Sequence, residues 1–145
     1  MIGLVVLALL IGVLLPLQTG INAQLRITLG APLAAALISF LVGTAGLIVL
    51  AVIAGVSLPV FAAWERSPWW HWIGGLLGAV YVASVIVLAP RLGAATLIAA
   101  VVAGQMLASL VVDHYGWVGF AAHPATAVRI VGAALIIVGV VLVQR

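Results

Sequence analysis

No charged side chain stands between Met1 and Arg26, and none again between Arg26 and Glu65. Apolar runs of that length leave few ways to fold. A bilayer core of roughly 30 Å is crossed by about 20 mostly apolar residues as a helix, and in hydrocarbon the backbone must satisfy its own hydrogen bonds. Charged residues make up 5% of the 145 and hydrophobic residues 68%, against about a quarter charged in an ordinary soluble domain. The expected fold class is therefore an all-α membrane protein, one transmembrane domain over residues 1–145. Its helices are expected at about 2–25, 32–55, 68–89, 94–113 and 127–144. The apolar start lacks the positive first region and cleavage site of a signal peptide, and reads as a retained first span.

Composition also removes several functions. The net charge of +3 comes from five arginines against Glu65 and Asp113. With no basic run to meet successive phosphates, a nucleic-acid surface is not expected. Cysteine is absent, which removes disulfides and thiolate metal sites. His114, His123 and Asp113 lack a recognisable ligand spacing for zinc. Neither a metal nor a cofactor is expected, and without a placed nucleophile the chain does not read as an enzyme.

Polar groups inside the apolar runs carry the functional signal. In the first helix, Gln18 and Asn22 are four apart and share a face, while Pro16 removes a backbone donor and frees the carbonyl of Gly12. Side-chain amides are costly in hydrocarbon unless partnered. This face should line a cavity or bind a neighbouring helix. The second helix, opening at Pro32, carries Ser39, Gly43, Thr44 and Gly46 and reads as structural. Residues 56–69 form a polar break with Pro59, Glu65, Arg66 and Ser67, ringed by Trp64, Trp69, Trp70 and Trp72. Tryptophan favours the headgroup boundary, and Ser67-Pro68 has the form of an N-cap and first helical position.

The third helix pairs Gly74 with Gly78 for close helix contact. Its remaining polar groups, Tyr81 and Ser84, could face a partner helix or a cavity. Pro90 is expected to end it. The fourth helix sets Ala100, Gly104 and Ala108 on one stripe and Gln105, Ser109 and Asp113 on the next. That second stripe leads an amide, a hydroxyl and a carboxylate toward one membrane face. Asp113 at a helix C-terminus and Arg129 near the start of the next helix each oppose the local macrodipole. Pairing would relieve both, and a binding or proton-coupling role for Asp113 is the alternative. In the last helix, Gly132 and Gly139 mark a packing seam suited to a partner chain.

Five spans put the termini on opposite sides, with Arg66 and Arg129 on one face and Arg26, Arg91 and Arg145 on the other. The positive-inside rule does not choose an orientation. A single five-helix chain has little room to enclose a solute path, and a dimer would supply the missing wall. Inverted repeats around a central site are a common transporter plan. An antiparallel homodimer, or a heterodimer with a related five-helix chain, would reproduce it.

Taken together, a set of residues resembles the YdcZ-type family of the drug/metabolite transporter superfamily. These are Gly12, Pro16, Gln18 and Asn22; Phe40 to Gly43; Trp69-Trp70 with Gly74-Gly75; Ala89-Pro90-Arg91-Leu92-Gly93-Ala94-Ala95; and Gly104-Gln105 with Ser109, Asp113, Gly116, Trp117 and Gly119. The resemblance covers essentially the whole chain. It implies half of a ten-helix inverted-repeat assembly in a bacterial or archaeal cytoplasmic membrane, working as a homodimer or heterodimer. It does not imply a substrate. Small multidrug exporters, similar in being half-size and dimeric, carry a glutamate in the first membrane helix. Here amides stand instead, and an amide takes up no proton in the useful pH range.

The leading expectation is a dimeric transporter of small polar or amphipathic solutes, acting as an exporter. Its solute would be bound by Gln18, Asn22, Gln105 and Ser109, with Asp113 at one mouth and Tyr81 and Ser84 as further candidates. A passive pore for small solutes or ions is the second expectation, since no ionisable group lies mid-membrane. A structural or regulatory membrane subunit, joined to a partner through its glycine seams, is the third.

Overall fold

Leucine, valine, isoleucine and alanine in long runs build helices where the backbone has no water to bond, and helices account for most of the chain. The computed structural model describes residues 2–56 and 67–144. The elements are α1 (Ile2–Gly12), α2 (Leu14–Leu29), α3 (Pro32–Ile53), α4 (Gly74–Leu92), α5 (Ala94–Tyr115) and α6 (Ala127–Val143). Short 3-10 turns cover Trp69–Ile73 and Trp117–Gly119. There is no strand among the described residues. Among the described residues, four stretches are long and apolar enough to cross a membrane: Ile2–Leu29, Pro32–Ile53, Trp69–Leu92 and Ala94–Tyr115. The fifth, α6, has 17 residues, a rise of about 25 Å, at the lower limit for a span. Of the polar break, Pro59, Trp64, Glu65 and Arg66 lie outside the described residues, as does Arg145.

The surface identifies the solvent. Leucines, valines and isoleucines are exposed along every described helix, and among the described residues Ile86 and Leu97 are the largest side chains wholly withdrawn. Water would not tolerate apolar patches of that extent. The chain is an all-α membrane protein.

Contacts divide it into two compact units, Met1–Pro90 and Arg91–Arg145. In the first, α1 and α2 form one 28-residue apolar stretch. It is interrupted at Val13, whose N–H turns back to Leu10 at 3.2 Å, next to Gly12, to whose carbonyl Pro16 has no N–H to donate. The helix runs on past Arg26 to Leu29, because Gly30 (φ 71°) is the first residue to take the left-handed cap. Pro32 opens α3 after extended Ala31. Ala35 and Ala36, in the first turns of α3, pack on Val82 and Ile86 of α4, with Leu25 and Tyr81 against them. The Phe40 ring lies over Gly78, where a Cβ would make an ordinary contact with it at 3.6 Å.

Two expectations about α4 are corrected. Ser67 does not cap it: Pro68 precedes a 3-10 turn that lacks any side-chain cap, and the α-helix begins at Gly74. The aromatic run Trp69-Trp70-His71-Trp72 has modest helix propensity and two glycines follow it. Nor does Pro90 end the helix, which continues through it to Leu92. Pro90 cannot bond the carbonyl of Ile86, four residues earlier. Nη1 of Arg26, on α2, donates to that oxygen at 3.3 Å. The borrowed donor replaces the missing one, so the helix need not stop.

In the second unit, α5 and α6 pack as an antiparallel pair joined by a folded loop. Gly116 (φ 63°) caps α5, two residues beyond the expected end. A Cβ at Gly116 would lie 3.3 Å from both Ala122 Cβ and the Phe120 carbonyl, so backbone angle and space both require glycine. Thr126 caps α6 through its hydroxyl, which accepts the Arg129 N–H.

Candidate functional site

In the first unit the polar face of α2 meets α3. Gln18 shares a cleft of about 210 Å³ with Ser39, Thr44, Phe40, Gly43, Leu47 and Val82. One amide and two hydroxyls thus converge between apolar walls, a lining suited to a small solute with hydrogen-bonding groups. Ligand pockets commonly measure about 300–1,000 Å³, so this cleft by itself is small. Asn22, one turn from Gln18, is 4% exposed, and Thr19 is 5% exposed.

From the sequence, Ser39 and Thr44 read as structural. The available signal is their register: residues 39, 40, 43, 44 and 47 fall on one helical face, and that is the face the cleft uses. Tyr81 of α4 has its hydroxyl sealed from solvent, without a hydrogen-bond partner among the described residues. The Ser84 hydroxyl instead donates to Val80 O of its own helix at 2.7 Å, a common alternative for serine inside a helix.

The other candidates belong to the second unit. Gln105 and Ser109 are exposed on α5, one turn apart. Asp113, a turn further, is paired with Arg129: Nη2 of Arg129 donates to Oδ2 of Asp113. The second guanidinium arm, Nη1, donates to His123 O at 2.9 Å, and the His123 N–H donates to Asp113 O at 2.7 Å. The carboxylate at the end of the polar stripe is thereby held by an internal cation, as the two opposed macrodipoles favour. His114 Nδ1 accepts the Ala125 N–H at 3.1 Å, and His123 Nδ1 lies 2.8 Å from Ala121 O. Each imidazole thus commits one nitrogen to the loop backbone. Among the described residues no three His, Asp or Glu side chains gather to hold a metal. An open hollow of about 520 Å³ beside the ion pair is lined by Asp113, His123, Pro124, Thr126 and Arg129.

Several apolar helices, each long enough to cross a bilayer, define a multi-pass membrane protein. The family model described as "Putative inner membrane exporter, YdcZ" matches residues 3–142. The chain belongs to this family. No curated protein and no solved structure matches it.

Proposed function

We propose that the chain is a carrier of small polar or amphipathic solutes, exporting them across a bacterial or archaeal cytoplasmic membrane by alternating access. The observation that carries this reading is the cleft where Gln18, Ser39 and Thr44 converge between apolar walls. Its polar groups hydrogen-bond the solute, and Asn22 continues the same face of α2. Gln105 and Ser109 on α5 supply a second polar lining, with Asp113 and its arginine at one mouth and Tyr81 and Ser84 as accessory contacts. The chain acts as one transmembrane domain and as half of a dimer, either an antiparallel homodimer or a heterodimer with a related chain. Support for a second chain is energetic. Gln105 and Ser109 are exposed, and an amide facing hydrocarbon without a partner costs several kcal/mol, on the order of 2–7. A Cβ at Gly104, Gly132 or Gly139 would meet nothing within 4 Å, so these small residues serve no close approach among the described residues.

The test uses membrane vesicles carrying the chain, loaded with a mixture of small metabolites and followed by mass spectrometry. Flux of a subset of metabolites is expected, reduced at least tenfold in Q18A/S39A/T44A at equal protein level. Absence of flux, or flux indifferent to the triple substitution, would overturn the reading. Discrete current steps in a planar bilayer would replace the carrier with a passive pore.

A further inference from the structure

Arg26 stands four residues beyond Asn22 and eight beyond Gln18, so all three share one face of α2. A long cation near a helix end ordinarily carries its head outward to headgroups and water. Arg26 is turned inward and partly buried, its Nη1 bonded to the carbonyl of Ile86, a residue with no exposed surface. That carbonyl is available because Pro90 brings no N–H. The bond occupies one of five guanidinium donors. Among the described residues no carboxylate meets Arg26, and Asp113 is engaged by Arg129.

We infer that Arg26 is an anion-recognition residue at one end of the solute path, gripping the carboxylate or phosphate of a small organic acid. The inference rests on the carrier reading and names the substrate class of the same polar face. A planar guanidinium matches an oxyanion in two-point contact, which an ammonium does not. The C-terminal end of α2 contributes roughly half a negative charge nearby, which offsets only part of the full positive charge. Along the helix, Arg26 is about 12 Å from Gln18. A solute with an acid at one end and hydrogen-bonding groups toward the other spans the interval. A phospholipid headgroup offers the same oxyanion, so the two sources must be separated.

The full chain in phosphatidylcholine nanodiscs is probed by fluorine NMR with 4-fluorobenzoate and its neutral twin, 4-fluorobenzamide. Broadening of the benzoate signal is expected to fall at least fivefold in R26Q and only partly in R26K, with the benzamide signal unchanged. Should R26Q fail to fold, P90A/R26Q replaces it, compared with P90A, because residue 90 then bonds the Ile86 carbonyl itself. Equal benzoate broadening with and without Arg26, or no broadening of either probe, overturns the assignment. So does an equal loss for both probes. Native mass spectrometry reads the lipid source: a phospholipid retained only when Arg26 is present, with no benzoate effect, overturns the solute assignment in favour of a headgroup. Arg26-dependent benzoate broadening without vesicle flux leaves the anion site standing and removes the carrier.

Discussion

Pro90 and Arg26 illustrate how two residues unremarkable alone become one device. Proline leaves the Ile86 carbonyl unbonded and arginine supplies the donor. An unsatisfied buried carbonyl costs about 1–3 kcal/mol, so R26M should destabilise the chain by that amount in detergent unfolding. In a P90A background the same substitution should cost less than about 0.5 kcal/mol, since alanine at that position restores the helical bond and double-mutant cycles resolve such coupling. Equal costs in both backgrounds would dissolve the pairing. Asp113 and Arg129 form the other coupled pair, with side chains 24% and 35% exposed. That exposure limits the pair to about 1 kcal/mol. D113N should lower stability by no more than this, whereas loss of Arg129 also removes the bond to His123. R129M is therefore expected to be the more damaging substitution when thermal midpoints are compared.

At the scale of elements, the loop between α5 and α6 is shaped by Gly116. A side chain there meets both a left-handed backbone angle and contacts at 3.3 Å, so G116A should cost about 1–3 kcal/mol. Limited proteolysis of the 117–125 loop would report it, with faster cleavage in the variant. Val118 holds φ at 56°, an unfavourable angle for a β-branched residue. V118N is expected to raise the thermal midpoint, because asparagine tolerates this region at lower cost. Apolar periodicity places the end of α5 two residues short and misses the turn before α4. Caps and 3-10 turns depend on one residue's backbone angles, which periodicity does not encode. Ser39 and Thr44 are visible in the sequence, but their use is not. Hydroxyls inside a helix bond their own backbone as readily as a neighbour, and only the approach of Gln18 on α2 distinguishes the cases.

For the whole molecule, the absence of cysteine makes single-cysteine crosslinking unambiguous. An antiparallel homodimer packed through the Gly132–Gly139 seam brings Ile136, near the middle of α6, against its own copy. I136C should then crosslink to itself under mild oxidation. V128C should crosslink to L142C in mixed samples and not to itself, and a V128C self-crosslink would indicate parallel packing instead. Terminal reporters complete the measurement. Each terminus on both sides of the membrane in similar amounts supports the homodimer, and one dominant orientation directs the search to a related partner chain.

Length, apolarity and scarcity of charge were enough to determine that the chain is helical and membrane-embedded, because hydrocarbon admits few backbone solutions. Spacing along a helix placed Gln18 with Asn22 and Gln105 with Ser109, and opposed helix dipoles anticipated the Asp113–Arg129 pair. Tertiary structure decided the rest. It selected the face of α3 that meets Gln18, let α4 run through Pro90, and turned Arg26 inward. These outcomes depend on which groups from distant parts of the chain arrive at one point, and a free carbonyl or an amide carries no record in the sequence of the partner that will reach it.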